Sequence, residues 1–349
     1  MKIGLLTFHD TTNFGSWLQT YALYKKVKQL GHSVEIIDYK CEGIKYREKL
    51  SVDRLSMMPV ESVLLQIKKQ VCFWRYLHKY MKLSKRKYSK KNIDKANGRY
   101  DLYLLGSDLV WDLNITYGDE TYLFDFLSEE AVRCAYAASS GRDYILDSQR
   151  DIFKKYLKYF KTIAVREEGM KEDIGKLWGK KVQHVCDPTL LLDRNEWEKF
   201  IGKRTIKEKY VLLYFVDGKG NLSRLAKKYA REHGFRFVAI NKDFNIDKDN
   251  MIHPTSVKEF LSMIFYAEKI YTASYHGMMY SVTFNKQFVF YPFAPATRMV
   301  SAARLFGIET QNIESKEFDN EALINYEDVK DKLNGFREKS IDTLKEMLG

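Results

Sequence analysis

Residues 1–39 of the chain read MKIGLLTFHDTTNFGSWLQTYALYKKVKQLGHSVEIIDY. Lys2–Phe8 is a short apolar run that is typical of a buried strand, and Ser33–Tyr39 repeats that character. Between the two runs, large apolar residues recur at helical spacing, at Trp17, Tyr21, Tyr24 and Val27. A strand, a helix and a strand in this order form a βαβ unit, which predicts a parallel sheet.

Further strands are predicted along the rest of the chain. Four short apolar runs follow in the first half: Leu102–Leu105, Val132–Ala138, Thr162–Val165 and Val182–Cys186. From Lys209, strands alternate again with helices, the strands being Tyr210–Val216, Phe235–Ile240, Lys269–Ala273 and Gln287–Tyr291. The pattern predicts an α/β fold with two Rossmann-like domains, residues 1–205 and 206–320. We expect the helical segment 321–349 to pack across the domain boundary.

Composition narrows the class of protein. The 349 residues are 45% hydrophobic and 30% charged, which excludes a disordered or fibrous chain. No apolar run reaches the roughly 18 to 20 residues that cross a bilayer, and no cleavage site follows the first strand, so we expect a cytoplasmic protein. Four cysteines without a CxxC pair and seven histidines without HxxxH or HxH spacing predict neither disulfides nor a zinc site. We therefore expect no metal and no cofactor. A carboxylate-bound Mg²⁺ remains an alternative, because the spacing of histidines and cysteines does not bear on it.

The net charge of +12 is concentrated in an insert at 41–98. This segment holds 15 Lys and Arg against 5 Asp and Glu, which gives +10 of the total. No nucleic-acid-binding motif accompanies it, so we expect no nucleic-acid partner. An anionic membrane surface at the inner face of the membrane, an anionic substrate carrier and a solvated face all remain open.

An amphipathic helix is predicted within this insert, at about Val60–Leu83. Its apolar side comprises Val63, Leu64, Ile67, Val71, Trp74, Leu77 and Met81. The helix could lie on a membrane surface. The pattern favours the alternative, in which the apolar side packs on the first domain and the lysines face water, because most amphipathic helices do so.

Small and charged residues follow the predicted strands of the first half. They are Gly106-Ser107-Asp108, Ser139-Ser140-Gly141, Arg166-Glu167 and Asp187-Pro188. In open α/β sheets, ligands bind outside the carboxyl ends of the strands. The sequence therefore predicts a site at this edge of the sheet.

An ordered set of segments resembles one known family. They are Asn13-Phe14-Gly15-Ser16-Trp17-Leu18-Gln19, Leu105-Gly106-Ser107-Asp108-Leu109-Val110-Trp111, Tyr136-Ala137-Ala138-Ser139-Ser140-Gly141, Val165-Arg166-Glu167, Cys186-Asp187-Pro188-Thr189-Leu190-Leu191, Ser274-Tyr275-His276-Gly277 and Thr297-Arg298-Met299. Together they resemble the polysaccharide pyruvyl transferases. The resemblance implies a GT-B-like fold, in which two Rossmann-like domains face a cleft. It implies transfer of pyruvate from phosphoenolpyruvate, as co-substrate, to a sugar of a cell-surface polysaccharide or its lipid-linked precursor.

The resemblance and the local pattern both single out His276. This histidine lies between a predicted strand and a helix that we expect to begin at Gly277, so it lies at an anion-attracting helix N-terminus. We expect His276 to act as acid or base and, with Ser274 and Gly277, to contact phosphoenolpyruvate. One branch of the family has an arginine at the position of Ser274, so the anion needs another cation. Arg166 and Arg298 are the candidates, each with an interdomain salt bridge as the alternative role.

The acceptor side is predicted in the first domain. Asn13 and Gly15 lie at its first strand-to-helix turn, and Ser107 and Asp108 at another. Asp10 or Asp108 could take the proton from a sugar hydroxyl, and the alternative for Asp108 is a helix N-cap. Leu109 replaces the glutamine that is usual in the family, which changes any polar contact made there.

Two other functions are compatible with the sequence. A glycosyltransferase with a nucleotide-sugar donor could use the same architecture, because a fold does not determine a function. A non-catalytic component of polysaccharide assembly, attached through the basic insert, is the third interpretation.

Overall fold

The structure is a computed structural model, and it describes residues 1–48, 59–215, 221–241, 250–292 and 297–349. Part of the basic insert and Val216 of a predicted strand lie outside these residues. The chain divides into two compact units, Met1–Leu191 with Gly335–Gly349, and Leu192–Asn334. The second unit begins at Leu192, which is earlier in the chain than the boundary expected between residues 205 and 206.

The segment after Leu191 belongs to the second unit because its contacts lie there. The rings of Trp197 and Tyr280 pack edge to face, with centroids 5.2 Å apart. The amide of Gly202 donates to Ser262 Oγ at 2.8 Å.

The first unit contains a six-stranded parallel sheet in the order β2-β1-β3-β4-β5-β6. Its strands are β1 (Lys2–Leu6), β2 (Ser33–Ile36), β3 (Leu102–Leu105), β4 (Arg133–Ala138), β5 (Thr162–Val165) and β6 (Gln183–His184). All six fall within or on the predicted runs. All four residues of β3 are buried. A strand covered on both faces is apolar throughout, so this strand could be recognised in the sequence as a continuous apolar run.

Helices connect these strands and cover the sheet. They are α1 (Phe14–Gln29), α2 (Glu42–Glu48), α3 (Val60–Tyr80), α4 (Leu113–Thr116), α5 (Arg150–Leu157) and α6 (Glu168–Trp178). Short 3₁₀ turns lie at Ile93–Ala96, Glu120–Leu123, Asp147–Gln149 and Pro188–Leu190. The side chain of Asn13 caps α1 by accepting from the Ser16 amide at 3.2 Å.

The second unit contains a four-stranded parallel sheet in the order β10-β9-β7-β8. Its strands are β7 (Tyr210–Phe215), β8 (Arg236–Asn241), β9 (Lys269–Thr272) and β10 (Gln287–Phe290). The helices are α7 (Arg194–Glu198), α8 (Asn221–Glu232), α9 (Val257–Phe265), α10 (Tyr275–Thr283) and α11 (Thr297–Phe306), with a 3₁₀ turn at Glu309–Gln311. The last helix, α12 (Tyr326–Leu348), begins in the second unit and ends in the first.

Both sheets share one topological feature. The first strand of each unit lies between the second and the third, so β1 separates β2 from β3, and β7 separates β8 from β9. Connections therefore diverge at the carboxyl ends of β1 and β3, and of β7 and β9. Ligands of open α/β sheets bind at such switch points.

Helix α3 packs through a different face from the one expected. Phe73, which lies outside the predicted apolar side, is buried. Of that side, Leu77 and Met81 are buried, whereas Leu64, Ile67, Val71 and Trp74 are exposed. The expectation that the apolar side packs on the first domain is therefore wrong for four of its seven residues. The rings of Phe73 and Phe14, 5.3 Å apart, explain the difference, because aromatic residues outside the apolar side make the contact with α1. Among the described residues, no helix is long and apolar enough to cross a bilayer.

Candidate active site

The first cluster lies where β9 leads into α10. Ser274 is the N-cap of this helix, and its hydroxyl oxygen accepts from the Gly277 amide at 3.3 Å. The Ser274 amide donates in turn to Thr272 Oγ1 at 3.0 Å. The helix thus begins at Tyr275, two residues before the expected start, and its positive end lies at the carboxyl edge of the sheet.

Gly277 fits α10 against the sheet. A Cβ atom at this position would lie 2.5 Å from Thr272 Oγ1 and 2.9 Å from Tyr214 Cδ1. Both distances are shorter than real Cβ contacts allow, so the glycine is accounted for by helix–sheet packing. Burial raises the pKa of Tyr214 to about 12, and a hydrogen bond with Ser274 opposes this rise.

The side chains of Arg298 and His276 both lie beside the ring of Tyr275. The guanidinium of Arg298, in the first turn of α11, lies over the Tyr275 ring at 5.3 Å from its centre. The ring of half-buried His276 lies at a steep angle to the same tyrosine, with centroids 5.6 Å apart. The structure therefore brings one arginine and one histidine to the N-terminal turn of α10, a position that favours anions.

Arg166 lies in the first unit, in a buried network. Its Nε donates to Glu167 Oε1 at 3.1 Å, its Nη1 to Asp187 Oδ2 at 3.0 Å and its Nη2 to Ser139 Oγ at 2.9 Å. The side chain is 1% exposed. Binding of phosphoenolpyruvate by Arg166 would require these contacts to be exchanged. Asp187 also accepts from the amide and hydroxyl of Thr189, in a turn that follows β6.

Asp108 lies in a strained turn after β3. Its φ of 79° is in the left-handed region, which costs on the order of 1 kcal/mol outside glycine. The carboxylate accepts from the Ser16 hydroxyl in α1 and from the Leu109 amide. Asp112 is the residue that caps α4, so the N-cap interpretation of Asp108 is wrong. Ser107 is fully buried, and its hydroxyl has no hydrogen-bond partner among the described residues.

The other acceptor-side candidates lie at the start of α1. Asn13 is exposed and serves as N-cap, while Gly15 is buried in the first turn. Asp10 is exposed and pairs with Lys40 at 3.4 Å. The exposed pair is open to solvent and to ligands.

A cavity of about 320 Å³ opens beside Asp10. It lies at the carboxyl ends of β1 and β2 and is closed on one side by α3. Its lining combines charged and aromatic groups, among them His9, Asp10, Tyr39, Lys40, Phe73 and Trp74. Aromatic rings beside a few hydrogen-bonding groups are typical of small-molecule sites.

A buried contact between His9 and Asp38 supports this cavity. His9 Nε2 lies 3.3 Å from Asp38 Oδ1, and His9 Nδ1 lies 3.2 Å from the Thr7 carbonyl oxygen. Both contacts are hydrogen bonds only when the ring carries both protons. Burial alone would raise the pKa of Asp38, but the hydrogen bond and charge of His9, with Lys40 and Lys87, lower it.

His9 and Asp38 were not among the residues predicted from the sequence. They follow the neighbouring strands β1 and β2, so the rule that located Asp108 and Arg166 would have found them too.

Three of the four cysteines lie in the interior. Cys41, Cys134 and Cys186 are buried and unpaired, and burial raises the pKa of each thiol to about 11. Within the described ranges, no three His, Cys, Asp or Glu residues come together as a metal site.

Comparison with protein families gives one match. The model of the family described as polysaccharide pyruvyl transferase matches residues 13–292. No curated protein sequence matches the chain at a significant level.

Solved structures resemble the chain over its whole length. The UDP-GlcNAc 2-epimerase of Methanocaldococcus jannaschii, in complex with UDP-GlcNAc and UDP, has a TM-score of 0.53 at 14% identity, covering 100% of this chain and 99% of that one. The UDP-GlcNAc 2-epimerase of Neisseria meningitidis, bound to UDP-GlcNAc, has a TM-score of 0.51 at 10% identity with the same coverage. Such low identity shows the fold alone. The predicted class, two Rossmann-like domains of the GT-B type, is confirmed.

Proposed function

Because the chain belongs to the polysaccharide pyruvyl transferase family, we propose that it transfers pyruvate from phosphoenolpyruvate to two hydroxyls of one sugar. The sugar belongs to a cell-surface polysaccharide or to its lipid-linked precursor. Two C–O bonds form at the central carbon of phosphoenolpyruvate, and the bond from that carbon to the phosphate oxygen breaks. One hydroxyl proton ends on the methylene carbon and the other on the released phosphate. The observation that carries this proposal is the family match over residues 13–292.

The donor side of the proposal uses the N-terminal turn of α10. Arg298 and the positive end of the helix bind the phosphate and carboxylate groups, both of which are anionic. His276, beside them, donates the proton to the methylene carbon, since histidine exchanges protons near neutral pH. Ser274 and Gly277 hold the turn in place through the N-cap bond.

The acceptor side uses the carboxyl edge of the first sheet. We assign the sugar to the cavity beside Asp10, where ring faces and hydrogen-bonding groups lie together. Asp10, which lines the cavity, takes a hydroxyl proton. Asp108, the other candidate base, is not among the lining residues, and its bond from Ser16 fixes its carboxylate in the turn after β3. The same edge of the sheet also carries the other predicted acceptor-side residues, Asn13, Gly15 and Ser107.

Phosphate release from phosphoenolpyruvate, measured with a panel of free and lipid-linked sugars, tests this function. We expect release that depends on an acceptor and that His276→Gln abolishes. His233→Gln is the matched control, because His233 is an exposed histidine of the same unit. The reaction as proposed needs no metal or further cofactor, so loss of activity in a chelator would contradict that part.

A nucleotide-sugar donor is the second candidate, and the epimerases that bind UDP-GlcNAc are the observation that favours it. Ligand that binds only the folded state at 100 times its Kd stabilises a protein by about 2.7 kcal/mol. We expect phosphoenolpyruvate to raise the melting temperature and UDP-GlcNAc to leave it unchanged. The reverse result would favour the nucleotide sugar, and no response to either would favour a non-catalytic role.

A further inference from the structure

Helix α3 carries an exposed apolar stripe on its outer face, which comprises Val60 and the four exposed residues of the apolar side predicted from the sequence. The exposed fractions are 75% for Val60, 60% for Leu64, 48% for Ile67, 42% for Val71 and 58% for Trp74. The spacing of these residues alternates between four and three, which keeps them on one side of a helix. At 1.5 Å per residue the stripe is about 21 Å long.

Packing on the opposite side fixes this orientation. Phe73 and Leu77 are buried against the first unit, and Tyr80 meets the ring of Trp17 with centroids 6.4 Å apart. Lys69 lies over the Phe14 ring at 4.4 Å. A rotation that buried the stripe would break these contacts, so the apolar face is held outward.

Positive charge borders the stripe. Lys68, Arg75 and Lys79 are exposed and lie along one flank, one turn or less from the apolar residues. Glu61 is the one acidic residue in the sequence of α3. Exposed Lys85, Arg86 and Lys87 follow the helix and extend the positive region.

We propose that α3 docks in the plane of an anionic lipid bilayer. The apolar stripe enters the boundary between headgroups and acyl chains, and the flanking cations contact anionic headgroups. Charge complementarity selects lipid over a second copy of the chain, because the copy would carry the same positive insert. The inference does not depend on the proposed reaction.

Docking through α3 would also position the sugar cavity. Trp74 belongs to the stripe and lines that cavity, so the cavity opens beside the docked face. Where the proposed function holds, this arrangement suits a lipid-linked sugar.

Flotation with vesicles tests the inference on the intact chain. We expect binding to vesicles of phosphatidylcholine with phosphatidylglycerol, and little to phosphatidylcholine alone. Binding should weaken as salt rises from about 0.1 M to 1 M, where the Debye length falls from about 10 Å to 3 Å. The combined variant Leu64→Gln, Ile67→Gln and Val71→Gln should bind about tenfold more weakly or worse.

Charge variants give an independent measurement with a matched control. Lys68→Glu with Lys79→Glu should lose binding, whereas Lys330→Glu with Lys339→Glu, exposed lysines of α12, should keep it. All these side chains are exposed, and unchanged melting temperatures would show that the variants fold. Equal binding by both charge pairs, or no wild-type binding to the anionic vesicles, would overturn the inference. So would a stripe variant that changes only the oligomeric state.

Discussion

Asp38 Oδ1 lies 3.3 Å from His9 Nε2, and this buried pair joins the carboxyl ends of β1 and β2. The two side chains are 7% and 1% exposed. His9 lines the cavity to which we assign the sugar, and its contact with Asp38 helps to hold the ring in that position.

Asp38→Asn should destabilise the fold by about 1–3 kcal/mol at neutral pH, because it removes the buried carboxylate that His9 Nε2 contacts. The folded-state pKa of Asp38 is below its ordinary value of about 3.9, so the stabilisation is present above that pH and is lost as the pH falls through the folded pKa. Urea unfolding at a series of pH values measures this. Asp10→Asn, in an exposed pair, should cost about 0–1 kcal/mol. A wild-type advantage over Asp38→Asn that grew in acid would contradict the account.

Arg298→Lys should raise the KM for phosphoenolpyruvate about tenfold to a hundredfold. Lysine keeps the charge but loses the planar fork that binds phosphate and carboxylate. Arg304→Lys is the control, since Arg304 is an exposed arginine of the same helix, α11. Steady-state kinetics check this, and equal KM values for the two variants would remove Arg298 from the donor site.

Arg166→Met should destabilise the first unit by about 3–5 kcal/mol, because Glu167 and Asp187 would remain buried without their cation. Arg194→Met breaks an exposed helical pair with Glu198 and should cost about 0.3–0.5 kcal/mol. Denaturant unfolding separates the two. If Arg166→Lys instead kept full stability and raised the KM for phosphoenolpyruvate, Arg166 would be a ligand.

Gly277→Ala should destabilise the second unit by about 1–3 kcal/mol, because the added methyl group meets Thr272 and Tyr214. Gly335→Ala should instead stabilise the protein. Nothing lies within 4 Å of a Cβ atom there, and alanine in a helix interior is favoured by about 0.5–1 kcal/mol. Thermal unfolding of both variants measures the contrast, and a neutral Gly277→Ala would show that α10 can move from the sheet.

The strands of both sheets could be predicted from the sequence because burial on both faces leaves short, continuous apolar runs. Thr162–Val165 was predicted to the residue for this reason. The start of α10 was not, since Ser274 and Thr272 define it through hydrogen bonds that apolar spacing does not show.

The orientation of α3 could not be predicted because both of its faces are apolar. Leu64 and Ile67 gave one plausible core face, while Phe73 and Tyr80 supply the contacts with α1. The partners of Arg166 were hidden for a related reason. Glu167 is adjacent to Arg166 in sequence. Asp187 and Ser139 are far from Arg166 in sequence and lie beside it only because β4, β5 and β6 are neighbours in the sheet.

The most direct test of the central claim follows the pyruvate carbon itself. Phosphoenolpyruvate labelled at its central carbon is incubated with the protein and an acceptor from the panel, and the product is examined by NMR and mass spectrometry. The account predicts a labelled ketal carbon on the sugar, one phosphate released per ketal, and neither product with His276→Gln. Label that stays in phosphoenolpyruvate with every acceptor, or that appears as free pyruvate whether or not a sugar is present, would contradict it.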